Sequence, residues 1–352
     1  MEHVDSAMMA AAIAAAGDHF PHPNPRVGAV VVSPDGEVAG RGGHRGPGTP
    51  HAEVLALAEA GMSAHGGTLY VTLEPCAHHG RTPPCADAIV AAGIARVVAA
   101  VEDPDVQVAG RGFSALRAVG IEVVTGVGSE DARNLDPGYF HQRSTGRPLV
   151  TLKAAVTLDG QVAAADGTSR WITSPEARRD GHHLRAAADA IMVGAGTLLA
   201  DDPELTVRLD GYAGKQPLPV AVAGARPLPR QRRIFERTAL VFSPGALELP
   251  AEVVVAPDPD GTKVDLATML ETLGRRGVID LLVEGGPALA AALWHQGLVD
   301  RGIFYIAAAL AGAAGRGVFD GVLATISDLH QVVITGVQRV GPDVRIDFKG
   351  VH

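Results

Sequence analysis

Apolar and polar positions along the chain predict strands that alternate with helices. In the first 145 residues, the short apolar runs 27–32 and 69–73 are typical of buried strands. An Ala-rich segment of helical character, 52–60, stops at Gly61. The other predicted strands of this half are 37–42, 95–101 and 121–124, and the other helices are 6–16, 83–92, 111–119 and 131–143. This alternation predicts an α/β sheet layered by helices.

A polar break at 144–148, Ser-Thr-Gly-Arg-Pro, separates the two halves. We therefore predict one domain over 1–145 and a second over 146–352, as the length of 352 residues also suggests. The second half alternates again and is predicted to be α/β. Its predicted strands are 149–156, 190–193, 219–223, 239–242, 253–256, 279–283 and 303–307, and its helices are 175–187, 264–275 and 287–296.

Composition narrows the class of protein. With 47% hydrophobic and 20% charged residues, the chain resembles an ordinary globular protein. The net charge of −9 argues against a nucleic-acid binder, which would normally carry a basic surface. The chain has no long uninterrupted apolar run and its first residues are acidic, so we expect neither a membrane span nor a secretory signal, and a cytoplasmic location.

A set of metal-binding residue types lies in the first half. His51, Cys76 and Cys85 supply three ligands, the number that catalytic zinc sites use while leaving a position for water. Glu53 is then free to move protons. Positions 51 and 53 can reach one metal only if their helix points its N-terminus at it, and Pro50 fits a helix start there.

The second cysteine is predicted to lie at another helix start. Thr82 is a suitable N-cap, Pro83 fits the first helical position, and Cys85 then falls in the first turn, where the helix dipole favours a thiolate. Two helix N-termini would thus converge on the metal. Because two thiolates neutralise Zn²⁺, we expect it to acidify water weakly, so that turnover depends on Glu53 as the base.

Three other interpretations of these residues stay open. A structural zinc site would take a fourth ligand from His78 or His79. The two cysteines could instead form a disulfide, although an intracellular chain favours thiols. A non-catalytic, zinc-stabilised scaffold is also compatible with the pattern.

The motif His51-Ala-Glu53 with Pro75-Cys76 resembles the signature of the cytidine deaminase superfamily, in which Cys-x-x-Cys is usual. Here eight residues separate the cysteines. The stretch 72–85, together with 22–28, 103–104 and 108–112, resembles the bifunctional riboflavin-biosynthesis deaminase-reductases. That resemblance implies a cytidine-deaminase-like three-layer α/β/α fold. The residues it implies for contacting the substrate are Asn24, His44, His78 and Arg81.

In the second half, the apolar strand 279–283 leads into Glu284-Gly285-Gly286-Pro287 and a helix. Glycines at such a turn let backbone N–H groups approach a phosphate, although on the residues alone a tight turn without a ligand is the more common explanation. The dinucleotide fingerprint Gly-x-Gly-x-x-Gly is absent, since the run from Gly194 lacks the third glycine.

Segments 153–160, 169–174, 193–203, 205–208, 284–287 and 340–343 resemble the reductase half of the same family. The resemblance implies a dihydrofolate-reductase-like fold that binds NADPH. The residues implied for the coenzyme are Ala155, Trp171, Thr197, Asp201, Gly286, Pro287, Ala288, Leu289, Ala290, Ala291 and Ala292. Those implied for the substrate are Ser169, Arg185, Leu205, Arg208 and Glu284. Lys153, Asp201 and Glu284 are candidate proton donors, with Lys153 taken as catalytic.

The resemblance implies two steps of riboflavin synthesis. The first is hydrolytic deamination of 2,5-diamino-6-(5-phosphoribosylamino)pyrimidin-4(3H)-one to 5-amino-6-(5-phosphoribosylamino)uracil, and the second is NADPH-dependent reduction of its ribosyl group. We expect this small phosphorylated pyrimidine as partner, no nucleic acid or membrane, and a homo-oligomer. An alternative is a single-activity deaminase with a nucleotide-binding or regulatory second half, because Ala223-Gly224 replaces the family's usual Asp-Ser or Asp-Thr. A nucleic-acid or tRNA deaminase is disfavoured by the acidic charge.

Overall fold

The computed structural model describes residues 2–17, 20–79, 83–106, 108–224, 227–312, 314–321 and 325–350. The chain packs as two compact units, residues 1–146 and 147–352. Among the described residues, none of the helices has the length and apolar character needed to cross a membrane.

The first unit contains a five-stranded sheet in the order β2-β1-β3-β4-β5. β1 pairs antiparallel with β2 and β3, and β3, β4 and β5 run parallel. The strands are β1 (Gly28–Val32), β2 (Val38–Gly43), β3 (Thr68–Val71), β4 (Arg96–Ala99) and β5 (Glu122–Thr125). The helices are α1 (Glu2–Ala15), α2 (Ala52–Ala60), α3 (Cys85–Ala91), α4 (Arg111–Ala118), α5 (Ser129–Leu135) and α6 (Pro137–Thr145).

Close packing of α2 on β2 sets where the first site lies. A Cβ atom added at Gly42 would come within 2.1 Å of the Ala52 carbonyl oxygen, and one at Gly40 within 2.1 Å of the Ala56 carbonyl oxygen. Only glycine allows the strand and the helix backbone to approach so closely. The N-terminus of α2 is therefore held rigidly against the sheet.

The second unit contains a nine-stranded sheet in the order β11-β10-β9-β8-β12-β6-β13-β16-β15. From β11 to β13 in this spatial order, neighbouring strands run parallel, whereas β16 pairs antiparallel with both β13 and β15. β7 and β14 form a separate antiparallel pair. The strands are β6 (Leu149–Thr157), β7 (Gln161–Ala163), β8 (Ala190–Gly194), β9 (Leu218–Val222), β10 (Leu240–Ser243), β11 (Glu252–Val255), β12 (Asp280–Val283), β13 (Arg301–Ala307), β14 (Arg316–Gly317), β15 (Val332–Val340) and β16 (Asp343–Gly350). The helices are α7 (Pro175–Ala186), α8 (Ala195–Asp201), α9 (Leu266–Arg275) and α10 (Pro287–His295).

The α/β class predicted from the sequence is confirmed, and most predicted elements agree with the structure to within a few residues. The predicted single helix 131–143 is wrong, since α5 and α6 replace it. The break falls at Asp136, because Pro137 disfavours helical backbone in the residue before it. The Asp136 carboxylate then caps α6 by accepting from the Tyr139 N–H at 3.2 Å.

The predicted start of the helix at 83–92 is also wrong. α3 begins at Cys85, and Pro84 is its N-cap with an extended ψ of 136°. Consecutive prolines explain the later start, because Pro84 keeps Pro83 out of the helical region. The proposed N-cap, Thr82, lies outside the described residues. Elements that the sequence pattern did not predict are α8, the short strands β7 and β14, and the hairpin of β15 and β16.

Candidate active sites

The three predicted zinc ligands come together in the first unit. His51 Nδ1 lies 3.1 Å from Cys85 Sγ and 3.6 Å from Cys76 Sγ. All three ligand atoms lie within 4.8 Å of one another. Both cysteines are free thiols, so the disulfide interpretation is wrong.

Two helix starts bring these atoms together, as the sequence predicted. His51 is the N-cap residue of α2 and makes no capping hydrogen bond, which leaves its imidazole for a ligand. Cys85 is the first residue of α3 and is fully buried. Its backbone N–H donates to Cys76 Sγ at 3.4 Å, so the helix start also stabilises charge on the other thiolate.

The geometry fits zinc. Tetrahedral zinc bound about 2.0 Å from nitrogen and about 2.3 Å from sulfur would hold those atoms about 3.5 Å apart, close to the observed separations. A hydrogen bond from Cys85 lowers the pKa of Cys76 to about 4, whereas the same contact raises the pKa of Cys85. A divalent cation between the sulfurs would favour the thiolate form of both.

Glu53 lies in the first turn of α2 and is buried, with 4% of its surface exposed. Burial raises the pKa of this carboxyl group, and electrostatic interaction with His51 opposes the shift. The charges of Cys76 and His51 both act on it, so the carboxyl group lies beside the ligand cluster, where proton transfer would be needed.

Asn24 and His44, predicted to contact the substrate, form a hydrogen-bonded chain that reaches the ligand cluster. Asn24 Nδ2 donates to His44 Nε2 at 2.9 Å, and His44 Nδ1 donates to the Pro50 carbonyl oxygen at 3.2 Å. The His44 ring packs edge-on against His51, with ring centroids 5.1 Å apart. His44 is therefore bonded at both nitrogens and supports the segment that ends in His51.

The other two predicted substrate contacts of this unit are not joined to the cluster by a described interaction. His78 is exposed in the segment that follows Cys76, as is His79. Arg81 lies outside the described residues. Among the described residues, the cluster of possible ligands contains three residues and includes neither His78 nor His79. Three protein ligands favour a catalytic zinc site with an open position over a structural one.

A residue whose role sequence reasoning missed is Glu74. Its buried carboxylate accepts four backbone N–H groups from a different part of the chain. Oε2 accepts from Asp103 at 3.3 Å and Gly110 at 2.9 Å, and Oε1 accepts from Gly112 at 2.8 Å and Phe113 at 3.3 Å. Glu74 thereby ties the segment that carries Cys76 to the start of α4.

Gly112, at the start of α4, allows the same two segments to pack closely together. A Cβ atom added there would come within 1.8 Å of the Pro75 carbonyl oxygen, so the α4 start and the residue before Cys76 are in direct contact. The sequence signal available for Glu74 was an acidic residue directly before Pro75-Cys76. Its partners could not be found from the sequence, because they lie 29 to 39 residues further along the chain.

In the second unit, the predicted residues gather near the carboxyl ends of neighbouring parallel strands. Ligands of open α/β sheets bind at this edge. β12, which leads into Glu284, pairs with both β6 and β8. On β6, Lys153 and Ala155 lie two apart on one face, and both are half-buried.

Arg185 and Glu284, both predicted to hold substrate, hold each other. Arg185 Nε and Nη2 donate to the two carboxylate oxygens at 2.8 and 2.7 Å, and its Nη1 donates to the Thr206 carbonyl oxygen at 2.8 Å. Burial opposes ionisation of Glu284, but Arg185 outweighs it and lowers the pKa to about 2. The pair supports the loop 202–208, which carries Leu205 and Arg208.

Leu205 is the residue of that loop with an unusual backbone. Its φ of 54° lies in the left-handed region, and its side chain is buried. Such strain in a bulky residue persists only where surrounding contacts hold it, and it is common at ligand sites. Arg208 is half exposed and lies 3.6 Å from Glu204.

Lys153 lies beside a partly buried polar network. Its Nζ is 5.8 Å from the centre of the Tyr305 ring, and the Tyr305 hydroxyl donates to Asp180 Oδ2 at 2.6 Å. Arg345 Nη1 donates to the same carboxylate at 2.9 Å. The sequence pattern did not indicate Tyr305, Asp180 or Arg345, which come from β13, α7 and β16.

The glycine turn before α10 brings together two of the predicted coenzyme residues. A Cβ atom at Gly286 would lie 3.1 Å from Thr197 Oγ1, so the turn passes directly over the start of α8. Pro287 occupies the first turn of α10, where it needs no N–H partner. The N–H groups of Ala288 and Leu289 have no intrahelical acceptor and are available to an anion.

The later residues of that predicted range are placed differently. The N–H of Ala290 already donates to the Gly286 carbonyl oxygen at 3.1 Å. Leu289, Ala290 and Ala291 have buried side chains in the core, with Ala292 packed against it. These four side chains thus support the turn from beneath.

The remaining predicted residues lie on the surface segment before α7 and at the end of α8. Trp171 is exposed, and the Arg178 guanidinium lies 4.6 Å from its ring centre. Arg170 Nη2 donates to the Asp201 carbonyl oxygen at 2.7 Å, which ties this segment to α8. Ser169 is half-buried beside it.

Comparison with known proteins assigns each half of the chain to a family. The model of the cytidine and deoxycytidylate deaminase zinc-binding region matches residues 2–101, and the model of the RibD C-terminal domain matches residues 148–346. The riboflavin biosynthesis protein RibD of Escherichia coli K12 is 42% identical over 363 residues, which cover 96% of each chain. The chain belongs to the RibD family.

Two solved RibD-type structures extend over essentially the whole chain. Acinetobacter baumannii RibD, form 1, is 36% identical, covers 100% of both chains and superposes with a TM-score of 0.93. A Thermotoga maritima diaminohydroxyphosphoribosylaminopyrimidine deaminase/5-amino-6-(5-phosphoribosylamino)uracil reductase is 33% identical, covers 99% of both and has a TM-score of 0.88.

RibD membership confirms the predicted fold and function. The chain is a bifunctional enzyme of riboflavin biosynthesis with a cytidine-deaminase-like domain that binds zinc and a dihydrofolate-reductase-like domain that uses NADPH. The match of the reductase model favours this interpretation over a single-activity deaminase.

Proposed function

We propose that residues 1–145 deaminate 2,5-diamino-6-(5-phosphoribosylamino)pyrimidin-4(3H)-one, and that residues 146–352 reduce the ribosyl group of the product, 5-amino-6-(5-phosphoribosylamino)uracil. The observation that supports the proposal most strongly is the three-ligand cluster beside buried Glu53. The same chain carries a second half that matches the RibD C-terminal domain. The substrate follows from similarity to the Thermotoga maritima enzyme.

In the deaminase, we assign the zinc ligands to His51, Cys76 and Cys85. When bound, zinc supplies a Lewis acid that activates a water molecule for attack on the amino-bearing ring carbon. Glu53 would carry one water proton to the ring nitrogen, and then the second water proton to the amino group, which would leave as ammonia. Its position in the first turn of α2, two residues from His51, supports this role.

Direct substrate contacts in this half are assigned to Asn24, His78 and Arg81, and His44 is assigned a supporting role. Both ring nitrogens of His44 are already bonded, so it acts by holding Asn24 and Pro50 in place. Asn24 donates one amide hydrogen to His44 and keeps its carbonyl oxygen as an acceptor. A phosphate on the substrate makes Arg81 a reasonable partner.

In the reductase, we assign the coenzyme to the edge formed by Ala155, Thr197 and the turn at Gly286, with Trp171 and Asp201 at its border. The start of α10 offers backbone N–H groups to a coenzyme phosphate. When bound, NADPH supplies the hydride that opens the ribose to a ribityl chain. Residues 287–292 shape this turn in two ways. The backbone N–H groups of 288 and 289 face the phosphate, and the later side chains pack in or against the core beneath the turn.

The substrate of this half is assigned to Ser169, Leu205, Arg208 and the Arg185–Glu284 pair. Reduction at the ribose carbon needs a cation or acid nearby, and Lys153 is the candidate catalytic residue. Its partly buried position on β6, with the Glu284 charge acting in the same pocket, supports this assignment.

The product mass tests both activities at once. The pyrimidine substrate is incubated with enzyme, with and without NADPH. Deamination replaces an amino group by a carbonyl oxygen and raises the mass by about one unit, and reduction then adds about two units. A mass change that stops after the first step despite NADPH would contradict the reductase assignment, and no change at all would contradict the deaminase assignment.

We also infer a cytoplasmic homo-oligomer that needs no nucleic-acid partner. The edge strand β15 exposes a row of apolar side chains, among them Ile334 and Val337. A long apolar edge strand is a liability unless another surface covers it. Sedimentation of the purified chain tests this, and a monomer at micromolar concentration would contradict it.

A further inference from the structure

His182 is a half-buried residue of the reductase unit that none of the assignments above uses. It lies on α7, three residues before Arg185. The backbone N–H of Arg208 donates to His182 Nδ1 at 3.1 Å, and Arg185 Nη1 donates to the Thr206 carbonyl oxygen at 2.8 Å. Residues three apart share a helix face, so both side chains hold the loop 202–208.

The hydrogen bond from Arg208 determines where the imidazole proton lies. Because Nδ1 accepts a backbone N–H, it carries no proton, and the neutral ring is protonated at Nε2. Burial, assisted by the charges of Arg185 and Arg208, lowers the pKa of His182 to about 4. At neutral pH the ring therefore offers one donor, Nε2–H, which makes no hydrogen bond to a described residue.

The charges around that donor favour an anion. Arg185, Arg208 and Lys153 all act on the ring, against a single carboxylate, Glu284. Glu284 is already engaged by two hydrogen bonds from Arg185. The guanidinium of Arg208, whose side chain is half exposed, lies 3.6 Å from Glu204, but Glu204 is shared with Arg233, so Arg208 is only partly neutralised and adds to the positive charge of Lys153.

We propose that His182 is a substrate-binding residue of the reductase, whose Nε2–H donates to a phosphate oxygen of the phosphorylated pyrimidine next to Arg208. This inference rests on the proposed reductase function. The imidazole thus has two roles, since Nδ1 orders the backbone of Arg208 while Nε2 binds the same anionic group that the guanidinium attracts. A neutral donor here binds phosphate without adding a fourth cation to the pocket.

Two substitutions separate the two roles. In His182→Asn the amide oxygen can take the place of Nδ1 and keep the Arg208 contact, but the distal donor is lost. In His182→Gln the longer amide can bring an N–H group to the place of Nε2, while the near acceptor is lost. His183→Asn is the matched control, because His183 is the next residue of α7 and is exposed.

The test is steady-state reduction of the deaminated pyrimidine by the full-length enzyme, with inorganic phosphate as a competing ligand. We expect His182→Asn to raise both the KM for the pyrimidine and the inhibition constant of phosphate roughly 10- to 100-fold, as loss of a hydrogen bond to a charged group implies. The KM for NADPH stays unchanged, His182→Gln recovers part of the loss, and His183→Asn behaves like wild type.

The opposite ranking would overturn the inference. If His182→Asn keeps the wild-type KM and phosphate inhibition while His182→Gln is impaired, His182 serves only to brace the loop. An equal rise in the KM for NADPH and for the pyrimidine would likewise contradict a phosphate contact. Failure of the proposed function is distinguishable, because the wild-type enzyme would then not oxidise NADPH at all, whereas phosphate binding measured by calorimetry would still report on His182.

Discussion

Replacing Glu74 with glutamine changes one atom of a buried junction and tests how the zinc site is held. The two carboxylate oxygens of Glu74 each accept two backbone N–H groups, from Asp103 and Gly110 on one side and from Gly112 and Phe113 on the other. An amide keeps one oxygen. Whichever way the amide is oriented, its NH₂ group faces two N–H donors, so two buried donors lose their acceptor.

The expected loss of stability follows from the two N–H donors that lose their acceptor. Each buried donor left without an acceptor costs about 1–3 kcal/mol, so Glu74→Gln is expected to destabilise the junction by about 4 kcal/mol. With a urea dependence of about 1–3 kcal/mol per molar, the midpoint falls by roughly 2 M. Because Cys76 lies two residues beyond Glu74, zinc release reports on this loss.

The chain offers two separate signals for the assay. Its only two tryptophans, Trp171 and Trp294, belong to the second unit. Urea-induced zinc release, followed with a chromogenic chelator, therefore reports on the first unit, and tryptophan fluorescence reports on the second. We expect Glu74→Gln to lower the midpoint of zinc release and leave the fluorescence midpoint in place.

Glu59→Gln is the matched control. The Glu59 carboxylate accepts a single N–H, from Arg41 at 2.9 Å, and the residue is exposed. Solvent can replace that partner, so the same chemical change is expected to cost less than about 1 kcal/mol. The reasoning about Glu74 is refuted if both variants release zinc at the wild-type midpoint.

Three further predictions concern residues of the two sites. Glu53→Gln is expected to retain a full zinc equivalent and to reduce the deaminated product, but to release no ammonia. Metal analysis and product mass measure these properties. Retained deamination would exclude Glu53 as the proton carrier. Glu284→Gln leaves the charge of Arg185 buried without its partner, so we expect the second unit to lose about 3–5 kcal/mol of stability. Urea titration of tryptophan fluorescence measures this loss. An unchanged midpoint would show that the ion pair contributes nothing to stability. Because the folded pKa of His182, about 4, lies below the unfolded value of about 6.5, the unfolded chain binds more protons between them. The second unit is therefore expected to lose stability as the pH falls from about 6.5 to about 4, and His182→Asn to lose less over that window; identical pH profiles would contradict the environment described for His182.

The chemistry of the first site could be predicted from the sequence because its signals are local. His51 and Glu53 lie at the start of one helix, and Cys76 and Cys85 flank one segment, so their spacing was sufficient even though the predicted start of α3 was wrong. The motifs of both halves likewise carried the family resemblance. The helix start at Cys85 and the break at Asp136 were also readable in principle, since both follow from proline.

What only the tertiary structure decided is which distant groups complete these sites. Glu74 finds its four donors in a loop and a helix start far along the chain, and His182 finds its partner in the backbone of Arg208, 26 residues away. Residues 290–292 lie in a motif that suggests phosphate contact, yet folding buries the side chains of Ala290 and Ala291 and packs Ala292 against the core. A backbone N–H carries no residue-specific signal in the sequence, so the acceptors that bind it become visible only once the chain is folded.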